Sequence, residues 1–148
     1  MLTKSLVIFI GIGVLAGLLF GVYLLDIKNI NQLVFVEGSS ISIISEKSDF
    51  KKGEEIKIRI VNSGTVPLIF PDGSYGLQIT GLSGILIYSP TSSKIISKLE
   101  PKQEILVVWD QIKNDGSPAL EGLYKISVRG MDDQQNKVEK STTINIWK

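Results

Sequence analysis

The run Leu6–Leu25 (LVIFIGIGVLAGLLFGVYLL) contains no charge, no proline and no amide, and the sequence after it is of a different kind. At about 1.5 Å of rise per residue a helix over this run spans roughly 30 Å, the thickness of a bilayer's hydrocarbon core. The chain is therefore expected to be a single-pass membrane protein. Its parts are a short cytoplasmic N-terminus (1–5), a transmembrane helix (6–25), a linker and first strand (26–38) and an extracytoplasmic domain (39–148). A cleaved signal peptide is the competing reading. Against it, the run exceeds the roughly 7 to 15 residues of a secretory apolar core, Leu24-Leu25-Asp26-Ile27-Lys28 offers no small-x-small cleavage pattern, and there is no cysteine for lipid attachment. Lys4 and the α-amino group precede the run, while Asp26 and Lys28 cancel after it. The positive-inside rule then places the N-terminus in the cytoplasm, with Tyr23 as an interfacial anchor near the outer end.

Gly13, Gly17 and Gly21 recur at intervals of four, a tandem GxxxG on one helix face, with Gly11 on another. Such spacing leaves a flat groove that a second helix can approach closely, so the expected partner is another membrane helix, from a second copy or a different subunit. The plainer reading is that glycine is common in membrane helices.

Composition narrows the chemistry. The formal net charge of +1 suggests neither nucleic acid nor an anionic surface as a partner. There is no cysteine and no histidine, so thiol redox chemistry is excluded, and the usual nucleophile–base pairs and the zinc, copper and haem ligand sets are missing. Serine, lysine and carboxylates are plentiful, yet no spacing selects a Ser/Lys dyad or a carboxylate pair. No catalytic, cofactor or metal site is expected, and the chain is read as a non-enzyme. Asn62 and Asn145 start no glycosylation sequon.

The remaining length suffices for one domain. Within it, Leu33–Val36 reads as a first strand and Ser40–Ser45 alternates serine with isoleucine. In Ile56–Val61 isoleucines fall at period two with Lys57 and Arg59 between them, a strand with one buried and one wet face. Asn62-Ser63-Gly64 signals a turn. Val66–Phe70, with Pro67 inside it and Pro71 just after it, reads as an edge strand or irregular crossover before the Pro71-Asp72-Gly73 turn. Tyr75–Thr80, Gly84–Tyr88 and a short return at Lys94–Ile96 follow. Glu104–Trp109 is continuously apolar after its first residue and is expected to be a central strand covered on both faces, or the strand that packs closest to the middle of the sandwich. Gly122–Val128 and Thr142–Trp147 complete the set, with Met131–Lys137 as a polar hairpin tip. Seven to nine short strands, turns about every ten residues and no further helix define an all-β class and a β-sandwich.

The segment Val108-Trp109-Asp110-Gln111, Asn114-Asp115-Gly116-Ser117-Pro118 and Gly122-Leu123-Tyr124-Lys125-Ile126 resembles the BsuPI-type proteinase inhibitor domain. It is also similar to the immunoglobulin-like module of flagellar hook-capping proteins, and FKKGEEIKIRIVNSGTVPL resembles the first core strands of such domains. The resemblance implies an immunoglobulin-like sandwich over about Ile41 to Ile146. The structural motif residues are Trp109, Asp110, Asp115, Gly116, Gly122 and Tyr124. In physical terms Gly122 suits a tight turn into a strand, Tyr124 can bury its ring and bond a backbone carbonyl, and Trp109 closes the end of the core. Asp110, Asn114 and Asp115 are expected to bond their own loop backbone rather than calcium, because no EF-hand spacing is present. One N-terminal span followed by a cysteine-free, strand-rich outer domain also resembles archaellum stator proteins and small accessory subunits of membrane enzyme complexes.

Together these features point to a membrane-anchored, non-catalytic structural or accessory subunit whose sandwich makes protein–protein contacts in a membrane or cell-envelope complex. Phe70, Asp72, Tyr75, Tyr88 and Trp147 are the candidate contact residues, Phe70–Tyr75 foremost because a Pro-Asp-Gly turn exposes its flanks; core packing is the plainer role for each aromatic among them. The alternative is a tethered ligand-binding or proteinase-inhibitor-like module acting through an ordered Ile112–Glu121 loop.

Overall fold

The structure, a computed structural model, describes residues 4–28 and 33–148. The chain divides into one unit over 1–32 and another over 33–148. Part of the expected N-terminal segment (1–5) and part of the expected linker (26–38) lie outside the described residues, as does the side chain of Tyr23.

In the first unit, helix α1 runs Lys4–Lys28, with no acidic residue in its first turn and no polar face. Its side chains are described at Leu6 and over 9–21, and all of these are exposed. Among the described residues no helix is long and apolar enough to cross a membrane. The expected helix is present, and its expected role as a span is not carried by these residues alone. A Cβ placed on Gly13, Gly17 or Gly21 would meet nothing within 4 Å.

The second unit contains ten strands among the described residues, against the seven to nine expected. They are β1 (Ile41–Ser45), β2 (Asp49–Lys51), β3 (Ile56–Asn62), β4 (Leu68–Phe70), β5 (Leu77–Gly81), β6 (Leu86–Tyr88), β7 (Ser97–Leu99), β8 (Glu104–Trp109), β9 (Gly122–Asp132) and β10 (Lys137–Trp147). One sheet has the order β1-β3-β8. The other runs β2-β10-β9-β4-β7, with the β5–β6 hairpin also joined to β9. The long strand β9 serves two neighbours on one side: residues 124–128 pair with β5, and Met131 and Asp132 pair with β4. Strand β2 lies parallel to the end of β10, Phe50 opposite Ile146.

Burial follows the period-two pattern. Ile56, Ile58 and Ile60 are fully buried, while Lys57 and Arg59 between them face water. Against them lie Leu68, Leu77, Ile79, Ile126, Val128, Ile144 and Ile146 of the other sheet, in one continuous core. Two sheets sharing inward faces make a β-sandwich, with each buried large aliphatic side chain contributing about 1.5–3 kcal/mol.

Five sequence expectations change. Leu33–Val36 forms no strand; Val36 N–H donates to Ser63 O (2.9 Å) and the following residues lie along the 62–65 turn, where Thr65 N–H donates to Gly38 O (2.8 Å). Strand β4 is shorter than expected and lies between β7 and β9 rather than at an edge, since Pro67 and Pro71 fall just outside it and cost no ladder donor. The return expected at Lys94–Ile96 lies later, at Ser97–Leu99, because Leu99 takes the inward position opposite Leu68 and leaves Ile95 and Ile96 exposed. Strand β8 is an edge strand, covered on one face only; its outward Leu106 and Val108 are 58% and 43% exposed. The polar hairpin tip is also tighter than Met131–Lys137, because β9 extends to Asp132 and β10 begins at Lys137.

Gly76 shows where the backbone leaves no choice. Its φ is +65°, and a Cβ there would sit 2.0 Å from Arg129 O. Gly53 has φ +80° but open space around it. Gly76→Ala is therefore expected to cost about 3 kcal/mol or more, and Gly53→Ala only about 1 kcal/mol, measured by urea unfolding of the two variants side by side.

Candidate functional site

The end of the sandwich is organised by Trp109, the last residue of β8. Its ring is fully buried between Tyr88, stacked at 5.8 Å, and Tyr124, edge-on at 5.8 Å. Its indole N–H donates to Ile112 O at 2.8 Å, which satisfies the one polar atom that burial would otherwise strand. The Tyr124 hydroxyl donates to Leu120 O at 2.7 Å, the backbone bond expected of a tyrosine at this corner. Burial pushes the phenol of Tyr88 above its ordinary value, and the charge of Asp110 adds to the rise.

From this pivot the chain makes a well-bonded loop. Asp110 Oδ1 accepts from Ile112 N–H (3.0 Å), Lys113 N–H donates to Ser117 O (2.8 Å), and Ile112 and Pro118 form a bridge. Asp115 Oδ1 accepts from Ser117 N–H (2.8 Å) and from the Ser117 hydroxyl, and these bonds, the hydroxyl's first, hold its carboxyl below the ordinary range. Gly116 turns the tip at φ +81°, and Gly122, at φ +139°, opens β9. Asp110 and Asp115 thus bond their own loop backbone as expected. Asn114 differs: its side-chain oxygen accepts from Ser89 N–H (3.2 Å), and its N–H donates to Ile87 O (3.0 Å), so it ties the loop to β6.

Gln111 is the residue that sequence reading missed. It is buried, with φ +61°, and its side chain holds the turn between β2 and β3. The amide nitrogen donates to Lys51 O and Glu54 O (both 2.9 Å), and its oxygen accepts from Gly53 N–H (2.8 Å). A glutamine after Trp-Asp carries no periodic signal, and its partners lie 57 to 60 residues away.

The candidate contact residues separate. Phe70 is fully buried, its ring against the backbone of Gly130, and Tyr75 packs edge-on to it at 5.4 Å. The Pro71-Asp72-Gly73 turn does not expose its flanks as expected. Asp72 Oδ1 accepts from Ser74 N–H (2.8 Å) and the Ser74 hydroxyl, which lower its carboxyl, and this fold-back sends Tyr75 inward at φ +53°. Tyr88 is half-buried. Trp147 ends β10 opposite Lys51, its carbonyl accepting from Lys52 N–H (2.8 Å), and is 51% exposed.

Exposed apolar side chains lie elsewhere, Leu82, Ile85, Ile95, Ile96 and Leu120 between strands and Leu106 and Val108 on the outer face of β8. Ile44, Arg59 and Leu106 form one row across the outer face of the three-stranded sheet, with Val108 opposite Lys57 in the next row. A groove of about 210 Å³ runs beside Ile44, Lys57, Arg59 and Leu106, bordered by the Arg59–Glu104 ion pair at 3.2 Å. Past the end of β8 an open cleft of about 640 Å³ separates residues 88–91 from Val108, Asp110 and Ile112. Among the described residues no group of three or more carboxylates stands in metal-binding array.

No protein-family model matches the sequence, and none of the curated proteins matches it. Among solved structures the fold is similar to Spo0M, a sporulation control protein from Bacillus subtilis, at 12% identity and a TM-score of 0.42, covering 76% of this chain and 51% of that one. It is also similar to a β-glucosidase from Listeria innocua in complex with glucose, at 9% identity and a TM-score of 0.34, covering 74% of this chain and 16% of the enzyme. The same enzyme with gluconolactone gives 13% identity and a TM-score of 0.31. The chain spans about half the length of Spo0M and a small part of the glucosidase.

Several turn carboxylates titrate below their ordinary value because hydrogen bonds favour the charged form. In Asp132 the Asn136 side chain is the largest cause, with Asn136 and Gln134 N–H donating as well. A folded-state value below the unfolded 3.8 stabilises the fold above that pH and is lost as pH falls through the lowered value. Urea midpoints are therefore expected to be flat between about pH 5 and about pH 9 and to fall as pH drops below 3.8. Asp132→Asn is expected to remove part of that fall. Tyr124→Phe is expected to cost about 1 kcal/mol, from the lost bond to Leu120, without altering the secondary structure seen by circular dichroism.

Proposed function

We propose that this chain is a membrane-anchored, non-catalytic accessory subunit whose β-sandwich makes protein–protein contacts. The observation that carries the contact role is the outer face of β8. Leu106 and Val108 are exposed there on an edge strand, where a domain acting alone would be expected to place charge. The anchor is supported by the uncharged run Leu6–Leu25 and by a helix over Lys4–Lys28 without a polar face, the pattern of a helix surrounded by lipid or protein. The recurrence of Gly13, Gly17 and Gly21 at intervals of four supports pairing with another membrane helix, and the charge balance supports a cytoplasmic N-terminus with the sandwich outside.

In finer detail we read the sandwich as immunoglobulin-like, in the manner of BsuPI-type and hook-capping modules. Support comes from Trp109, its ordered glycine loop and the Gly122-x-Tyr124 start of β9, whose hydroxyl bonds Leu120 O. A helix leading into an outer sandwich is also the layout of archaellum stator proteins. The ordering of the 110–118 loop beside its cleft favours a second reading, a tethered ligand-binding or inhibitor-like module.

Carbonate washing of membranes from cells making the full chain is expected to leave it in the pellet, and mild-detergent purification to bring down stoichiometric membrane proteins. Release into the wash with a first residue beyond Leu25 overturns the anchor. Gly17→Leu is expected to weaken that co-purification while leaving the sandwich's thermal transition unchanged; unaltered association removes the glycine face from the account. A lone chain that instead captures a protease or a solute supports the second reading.

A further inference from the structure

We infer that β8 pairs with the β8 of a second copy of this chain, antiparallel and two-fold symmetric about Leu106. This deepens the contact role proposed above and rests on it. Asn62 N–H donates to Gln103 O (3.0 Å), which fixes the alternation along the strand. Residues 103, 105, 107 and 109 turn their backbone groups towards β3, whereas Glu104, Leu106 and Val108 turn theirs to the open side. Between Glu104 and Trp109 there is no lysine, no proline and no break in register with β3, and Glu104 is the one charge on this edge. Ile105 and Val107 point inward yet remain half-buried, as expected of a strand whose flank lacks a neighbour.

Charge selects both the occupant and the register. Antiparallel pairing about Leu106 sets Leu106 opposite Leu106 and Val108 opposite the aliphatic stem of Glu104. Just beyond the strand it also brings the charge of Lys102, in the leading turn (φ +67°, N–H donating to Asn62 O at 3.0 Å), towards that of exposed Asp110 at the trailing end, twice by symmetry. Sliding the centre to Val107 would instead oppose Glu104 and Asp110, two like charges. The 640 Å³ cleft that Asp110 shares with Val108 and residues 88–91 gives the partner's Lys102 a place to enter. A two-fold contact of β8 on itself also closes, whereas β8 on any other edge leaves a further β8 open and propagates.

The chain contains no cysteine, so Leu106→Cys introduces a single thiol that the symmetric register places opposite its own copy, with Cα atoms about 5.5 Å apart. In membranes containing the full chain, mild oxidation is expected to convert most of this variant to a covalent dimer. Ile44→Cys, in the same outer row but on β1, two strands from β8, is expected to stay monomeric. Lys102→Glu added to Leu106→Cys is expected to lower the dimer yield several-fold, and Asp110→Lys added to that variant to restore it. A monomeric Leu106→Cys, or a yield no higher than that of Ile44→Cys, overturns the inference. If such a variant still co-purifies with other membrane subunits, the contact role stands and only self-pairing fails.

Discussion

Everything in the sandwich depends on burying isoleucine-rich strand faces against each other without covalent help. Ile56, Ile58 and Ile60 of one sheet meet Ile126, Val128, Ile144 and Ile146 of the other, all within 1% of complete burial. A domain of this size without cysteine holds no cross-link against chain entropy, so apolar burial must carry the balance. That requirement fixes the register. A one-residue slip of β3 would place Lys57 and Arg59 in the core and turn the isoleucines to water.

Buried polar side chains then fix the turns that the core leaves undetermined. Asn62 is fully buried, donating to Val66 O and Leu99 O (both 2.8 Å) and accepting from Gly64 N–H (3.0 Å). Gln111 does the same for the turn at 51–54, and Asp132 for the β9–β10 hairpin. Among the described residues no buried side-chain nitrogen or oxygen lacks a partner. Each net bond is worth about 1 kcal/mol, while losing one partner would leave the other unsatisfied at a cost of about 1–3 kcal/mol. These side chains therefore specify connections more than they add stability. They also explain why carboxylates and amides that look available for ligands in the sequence are engaged in holding loops.

What the core does not cover is as informative as what it does. The three-stranded sheet ends at β8 with apolar groups on its outer face and backbone groups on its open side. At its end lies a cleft walled by an ordered loop. A recognition role fits those features, since strand edges supply directional hydrogen bonds and the flanking side chains supply selectivity.

Local pattern alone determined the helix over the first apolar run, the all-β character of the rest, the inward isoleucines of β3 and the closing roles of Trp109 and Tyr124. Each of these follows from periodicity or from a side chain bonding within a few residues. Tertiary structure decided the rest. The run Glu104–Trp109 looks alike whether its strand is central or at an edge, because periodicity reports which faces are apolar and says nothing about which neighbours arrive. Phe70 and Tyr75 fold inward because Asp72 bends the turn back upon Ser74 and Gly130 leaves room for a ring, a match between residues about sixty positions apart. Gln111 owes its place to the carbonyls of Lys51 and Glu54, and Asn62 in part to that of Leu99, all far off in sequence, and no reading of neighbouring residues contains that information.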